Sequence, residues 1–328
     1  VKSTAQEAFR QAAESVQQAV KPSTPFFTIG VTTYNRTDLL VQALQSIRQQ
    51  TFADFEVIVG NDYTAQALSL DSLGIHDSRF VMVNHPRNLG EIGNMNALLS
   101  LSHGRYFTLL SDDDLYAPRF FEHMHRALVR FDFPVCALSG YTSIYGNESP
   151  VVSNDDNPVW RLLTGRAFLR SYLRGSLKVV GIYGFFEAGW LKSMGGIEKV
   201  ADGPIAAQSE YMLVLRTGLL PSVAYTSSPL VVFRKHDQSY GCTFRDSFGE
   251  YWRCAIRSFV RGVPILRMPE LRPDFWLNIL PVFRLCFREF SHKVAIGMLM
   301  LVVPRRVVEA ALLKHYQRNG RRQAGEPG

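Results

Sequence analysis

The chain has 328 residues, 46% of them hydrophobic and 20% charged, a balance that excludes a disordered polymer. That length allows one large domain, or a domain with an appendage, around a substantial core. The formal net charge of +7 favours an acidic partner, whether nucleic acid, anionic lipid or a phosphorylated small molecule, without choosing among them.

Residues 1–24 open on VKSTAQEAFRQAAESVQQAV, a polar helical pattern and not a secretory signal. The cysteines Cys136, Cys242, Cys254 and Cys286 form no C-x-x-C pair, so small core residues in a reducing, cytoplasmic setting are expected. In that setting the glycosylation-like triplets at Asn35 and Asn147 are chance matches.

After the breaker KPSTP, FFTIGVTT (26–33) reads as a strand. The helix that follows carries Leu39, Leu40, Ala43, Leu44 and Ile47 at helical spacing, with Asn35 as its expected N-cap and Asp38 in its first turn. FEVIVG (55–60) and RFVMVN (79–84) are short strands, LGEIGNMNALLSLS is a helix, and RYFTLLS (105–111) is another strand. The helical APRFFEHMHRALVRF follows, with His123 and His125 expected at the surface, and then the strand PVCALSG (134–140). Further on come helical RAFLRSYLRG, the glycine-rich aromatic stretch 179–196 and the helix AAQSEYMLVLRTG. SVAYTSSPLVVFRKH (222–236) reads as extended, either one strand or a hairpin, and beyond residue 243 the chain is helical and aromatic.

Alternating strands and helices with short connections imply a largely parallel sheet covered on both faces. Ligands of such sheets bind beyond the carboxyl ends of the strands. Thr33-Tyr34, Asn61-Asp62 and Ser111-Asp112-Asp113-Asp114 all follow strands and are expected to converge there. A strand that delivers carboxylates to a crevice suits a hard cation such as Mg2+ or Mn2+, although aspartates also cap helices and make turns. There is no G-x-x-x-x-G-K-[ST] loop, no H-E-x-x-H pair and no G-x-S-x-G elbow.

FFTIGVTTYNRTDLLVQALQSIRQQTFADFEVIVGNDYT and NLGEIGNMNALLSLSHGRYFTLLSDDDLYAPRFF together resemble the family 2 glycosyltransferases of the GT-A fold, an order that extends over residues 26–240. The resemblance implies an α/β, Rossmann-like GT-A domain over 25–242, with a nucleotide-sugar half (25–140), an acceptor half (141–242) and a C-terminal helical extension (243–328). It also implies an inverting enzyme that uses Mn2+ or Mg2+ and a nucleotide-sugar donor, UDP- or dTDP-linked by preference. Thr33, Tyr34 and Arg36 match the family's T-Y-N-R segment and Asp62 its nucleotide-contacting aspartate, with Asn61 where the family usually has a second one. SDDD matches the D-x-D element: Asp113 is the expected metal ligand, Asp112 its partner near metal or ribose, and Asp114 a ligand or a cap. Where the family often has A-R-N, this chain has Met95-Asn96.

In the second half Glu210 aligns with the catalytic base, with Asp202 in reserve, and Arg216 follows as in the family. FRKHDQS matches the segment that closes many such sites, which gives His236 a metal or diphosphate role and Arg234 or Lys235 the leaving phosphate's charge. Trp190 is a candidate face for a sugar ring, with core packing as the alternative.

The apolar run 294–303 is about half the roughly 20 residues that span a bilayer. The basic, amphipathic C-terminal region fits an interfacial contact at the inner face of the plasma membrane, or equally a helical subdomain or homo-oligomer contact. The expected acceptor is a saccharide or lipid-linked hydroxyl in bacterial polysaccharide or glycolipid assembly. A catalytically impaired nucleotide-sugar-binding protein is the rival reading, a nucleotidyltransferase fits less well, and no nucleic-acid motif is present.

Overall fold

The computed structural model describes residues 24–145, 156–200, 207–236, 248–302 and 307; the expected N-terminal helix, Cys242 and Asp202 lie outside them. The strands are β1 (Phe27–Thr33), β2 (Phe55–Asn61), β3 (Phe80–Asn84), β4 (Tyr106–Ser111), β5 (Leu115–Tyr116), β6 (Cys136–Tyr145), β7 (Trp160–Leu163), β8 (Phe185–Glu187) and β9 (Val223–Lys235). The helices are α1 (Thr37–Arg48), α2 (Glu91–Leu101), α3 (Phe120–Arg130), α4 (Gly165–Leu173), α5 (Ala188–Ser193), α6 (Ala207–Thr217), α7 (Phe248–Leu266) and α8 (Phe275–Val302).

One sheet runs β3-β2-β1-β4-β8-β6-β9-β5, with β7 also paired to β9. The parallel pairings of β1 with β2 and β4, and of β2 with β3, set one common direction. β6 and β9 share it, because β8 lies antiparallel between β4 and β6. The sheet is therefore mostly parallel, and its carboxyl ends form a single edge.

Both faces of the sheet are covered, so that β1 and β2 are buried along their whole length. Phe27, Ile29 and Val31 of β1 pack with Leu40, Ala43, Leu44 and Ile47 of α1 and with Phe120, Phe121 and Met124 of α3. On the other face, Ile58 and Leu109 pack with Ile92, Met95 and Leu98 of α2. Gly60 is what lets α2 come this close, since a Cβ there would stand 2.1 Å from Asn94 Oδ1. A third cluster joins Met212 and Leu215 of α6 to Ile265 and Leu266 of α7 and to Val282 and Cys286 of α8. Asp274, just before α8, fastens this helical layer to α4: it accepts from Arg166 Nε at 2.5 Å and Nη2 at 2.7 Å, and from Arg170 Nη2 at 2.5 Å.

Several local expectations are corrected. Asn35 does not cap α1; it takes a left-handed conformation (φ 55°), and Arg36 stands at the cap position without a side-chain cap bond. Within residues 222–236, Val223–Lys235 form one 13-residue strand and not a hairpin, because β6 pairs along the length of β9 and absorbs Pro229 through register shifts at Ser139–Tyr141. His123 is buried at 3% exposure, on the face of α3 that carries Phe120 and Met124, instead of at the surface.

Candidate active site at the carboxyl edge of the sheet

Strand register brings the candidate residues together. Thr33 is level with Asn61, and Thr32 with Ser111, so the ends of β1, β2 and β4 open side by side. Asp112 N donates to Thr32 O (3.1 Å) and Asp62 N to Thr33 O (3.0 Å), which extends the ladder one residue into each loop. β9 ends at the same edge and supplies Arg234, Lys235 and His236.

The three aspartates have three different environments. Asp112 is fully buried; its Oδ2 accepts from Thr33 Oγ1 (2.7 Å), Tyr34 N (3.3 Å) and Arg36 Nε (3.3 Å), while Arg36 Nη2 lies 2.5 Å from Oδ1. Burial pushes its pKa up to about 6 against the pull of Arg36, and the neighbouring charge of Asp113 adds to the rise. Asp113 Oδ2 accepts from Arg36 Nη1 (2.8 Å) and lies 3.2 Å from His236 Nε2. Burial works to raise its pKa, but the His236 hydrogen bond and the Arg36 charge outweigh it and hold the carboxyl below its usual range.

Asp114 turns inward instead. Its Oδ1 accepts from Arg234 N (2.8 Å) and its Oδ2 from Tyr183 Oη, and burial together with the charge of Asp113 holds its pKa well above normal. With both oxygens committed inside the protein, Asp114 fastens the acidic turn to β9 and neither faces the crevice nor caps α3, whose cap position is Arg119. Arg234 braces the same turn: its Nε donates to Asp113 O and its Nη1 to Gln42 Oε1 (2.5 Å), while its buried Nη2 has no hydrogen-bond partner.

At the β1–β2 end of the crevice Tyr34 is half exposed and meets Tyr63 edge to face at 5.3 Å. Asp62 is buried, and its Oδ1 accepts from Leu89 N (2.7 Å). Asn61 explains its own departure from the family pattern. Its amide nitrogen donates to Gln66 O and Asn84 Oδ1 (2.8 Å each), bonds that a carboxylate cannot make. Met95 is core (1% exposed), and Asn96 grips Ile197 N and O at 2.8 Å each, so neither serves the crevice.

Glu210, in the first turn of α6, is partly exposed and accepts from Gly181 N at 2.9 Å. Gly181 is needed for this approach, since a Cβ there would lie 2.7 Å from Val214 Cγ2 and 3.2 Å from Glu210 Cγ. The three-residue turn Gly181–Tyr183 thus holds Glu210 at one end and Asp114 at the other. Arg216 lies at the far end of α6, paired with Glu198 (2.6 Å). Trp190 is not in the crevice. β8 runs antiparallel to β4, so α5 emerges at the opposite edge of the sheet, and Trp190 stacks there on Phe186 (5.8 Å, 12°).

The sequence reading missed Glu91 at the crevice and the separate role of Tyr183 beneath it. Glu91 begins α2 after Gly90 (φ 71°) and is open to solvent. Desolvation by the surrounding protein, joined by the charges of Asp113, Asp112 and Glu210 and opposed by Arg36, pushes its pKa up to about 7. It therefore shares an electrostatic environment with both the acidic turn and Glu210. Its glutamate-at-helix-start signature is too common to mark it in a sequence. Tyr183 lies in the aromatic stretch 183–190, which reads equally as a face for a sugar ring or as core, and its buried hydroxyl instead meets Asp114. Among the described residues no group of three or more His, Cys, Asp or Glu side chains is arranged as a ready metal site.

Residues 28–176, which contain this edge, match the sequence family described as Glycosyl transferase family 2. The chain carries a family 2 glycosyltransferase domain. It is 34% identical over 93 residues to the GalNAc(5)-diNAcBac-PP-undecaprenol beta-1,3-glucosyltransferase of Campylobacter jejuni, which is 27% of this chain and 30% of that one. It is 32% identical over 108 residues to the succinoglycan biosynthesis protein ExoO of Rhizobium meliloti, 33% of this chain and 30% of that one. The chain spans less than two fifths of the length of the curated relatives it matches. In structure, S. aureus TarS 1–349, solved in complex with UDP-GlcNAc, superposes with a TM-score of 0.55 at 13% identity, over 90% of this chain and 91% of that one. That likeness establishes a shared fold.

Proposed function

We propose that this glycosyltransferase is an inverting, cation-dependent enzyme that moves a sugar from a nucleoside diphosphate, UDP- or dTDP-linked by preference, to a hydroxyl of a saccharide or lipid-linked acceptor. The observation that carries this reading is the convergence of Tyr34, Asp62, Asp112, Asp113 and His236 at one edge, with Glu210 linked to them through the Gly181–Tyr183 turn.

The half-exposed Tyr34 offers a face to the base, and Asp62 lies beside it at the nucleotide end. Asp112 and Asp113 fit a hard divalent cation, Mn2+ or Mg2+, because they already share one positive charge, that of Arg36. Such a cation supplies neutralisation of the diphosphate as the sugar leaves. Arg234, with an unpartnered buried Nη2, and Lys235 stand at the same edge to meet leaving-group charge. Glu210 removes the acceptor proton, and attack opposite the leaving group inverts the anomeric carbon.

The C-terminal helices support a peripheral contact with an anionic membrane surface, at the inner face of the plasma membrane for a cytoplasmic enzyme. Trp252, Ile256 and Val260 form an exposed stripe on α7, with Arg253, Arg257 and Arg261 one position on, and Trp276 on α8 is 84% exposed. Among the described residues no helix is long and apolar enough to cross a membrane. A lipid-linked acceptor in bacterial polysaccharide or glycolipid assembly fits this face.

Product analysis with a panel of nucleotide-sugars and Mn2+ or Mg2+ tests the chemistry. Asp113→Ala should abolish turnover, and Glu210→Gln should lower it at least about 100-fold with nucleotide binding intact. Turnover of Glu210→Gln within a few-fold of wild type would remove Glu210 as the base. Flotation with anionic vesicles, lost in Trp276→Glu, tests the membrane contact.

A further inference from the structure

The acidic turn sets two carboxylates side by side at the crevice, Asp112 fully buried, yet the described residues hold no ready metal site. What stands between the carboxylates is Arg36. Its Nη1 is 2.8 Å from Asp113 Oδ2, its Nη2 2.5 Å from Asp112 Oδ1, and its Nε 3.3 Å from Asp112 Oδ2. The guanidinium therefore bridges both aspartates, and their charges reinforce its own ionisation against burial.

We propose that Arg36 is a resident cation that keeps the Asp112–Asp113 pair closed to a free divalent ion and yields it only when a nucleoside diphosphate arrives. This inference rests on the cation-dependent reading above and adds the condition under which the carboxylates become available.

Charge balance supports it. Two carboxylates and one guanidinium sum to −1. A divalent ion that enters alone must either share the crevice with Arg36 or expel it from a largely buried pair, and both oppose binding. A diphosphate changes this balance. It brings several negative charges, which give the displaced guanidinium a bidentate partner and give the ion additional oxygen ligands. The backbone suits such movement. Arg36 follows Asn35, whose left-handed conformation ends the extended run of β1, and it precedes α1 without a side-chain cap bond, so no cap is lost when the side chain turns. Its side chain is 24% exposed, on the solvent side of the fully buried Asp112, and its way out is into the crevice and not through the core. The sequence hides this role, because an arginine after Tyr-Asn reads as a nucleotide contact in its own right.

The test counts bound Mn2+ directly, by electron paramagnetic resonance of the free ion over the full chain, with and without UDP and with GDP as a second probe. Wild type should bind Mn2+ alone weakly and gain at least tenfold in affinity with nucleotide. Arg36→Gln should bind Mn2+ alone about tenfold more tightly than wild type, and its gain from nucleotide should shrink. Arg36→Lys, which keeps the charge, should stay within about threefold of wild type for Mn2+ alone, and melting curves of both variants verify that they fold. If Arg36→Gln binds Mn2+ alone no more tightly than wild type while both bind it with nucleotide, this inference falls and the cation-dependent reading stands. If no protein takes up Mn2+ under either condition, both fall together.

Discussion

Replacing Asp112 by asparagine should make the ligand-free protein more stable at neutral pH than the wild type, relative to acid. An aspartate ordinarily titrates at 3.8, and burial, opposed by Arg36, pushes Asp112 up to about 6. A difference of about two units corresponds to roughly 3 kcal/mol. The folded state has the higher pKa, so it holds the proton longer than the unfolded chain. The associated stability is complete below about pH 4 and is lost as pH rises through 6. Integrated between pH 5 and 7.5, the loss is about 1.4 kcal/mol, roughly 2 °C in melting temperature for a chain of this size. Asparagine keeps a side-chain oxygen for Thr33 Oγ1 but cannot ionise. The measurement is thermal unfolding of both proteins in EDTA at pH 5, 6 and 7.5. The Asp112→Asn melting temperature should gain on wild type by that amount across the range. A gap between the two proteins that stays constant to within 1 °C would refute the reasoning. It would mean that Arg36 neutralises Asp112 fully and that no ionisation cost is stored at the site.

Three other substitutions probe the supports of the site. Gly60→Ala places a methyl group on Asn94 Oδ1, which also meets His85 Nε2 (2.9 Å), and should cost about 1–3 kcal/mol in urea unfolding. Tyr183→Phe removes the hydroxyl donor of Asp114 Oδ2 and should cost about 1–3 kcal/mol by the same measurement, with a loss of turnover out of proportion to any loss of nucleotide affinity. Asp274→Ala strips Arg166 and Arg170 of their shared carboxylate. Those arginines are 42% and 36% exposed, so the loss should be about 1–2 kcal/mol, read as earlier tryptic cleavage in α7 and α8. The hydrogen bonds from Arg166 and Arg170 hold Asp274 down to about 2, so this contribution is present above about pH 4 and disappears as pH falls toward 2.

The parallel half of the sheet was legible because β1, β2 and β4 are short apolar runs, each followed at once by polar residues, and strand register then fixes where those residues meet. The division of labour among Asp112, Asp113 and Asp114 was not. Asp114 points inward because Tyr183 and Arg234, 69 and 120 residues away in sequence, provide its donors. Glu91 escaped for a related reason, since what raises its pKa is desolvation by the folded protein, with the charges of Asp113, Asp112 and Glu210 added, and not its own neighbours in the chain. Trp190 misled because an aromatic residue near a glycine-rich stretch does not disclose strand direction. The antiparallel course of β8 carries it to the far edge.

The turn at Gly181–Tyr183 also has a consequence for engineering. Its first residue grips Glu210 and its last grips Asp114, so the spacing between Glu210 and the acidic turn is gauged by three residues of backbone. A library that varies loop length here would change both grips at once, and most of its members would lose register instead of gaining a wider pocket. Variation is better sought at Glu91 at the start of α2, which is open to solvent, while Gly90 before it should be kept because its φ of 71° disfavours any side chain. The two walls of the crevice thus differ in tolerance: one is a fixed gauge and the other an adjustable jaw.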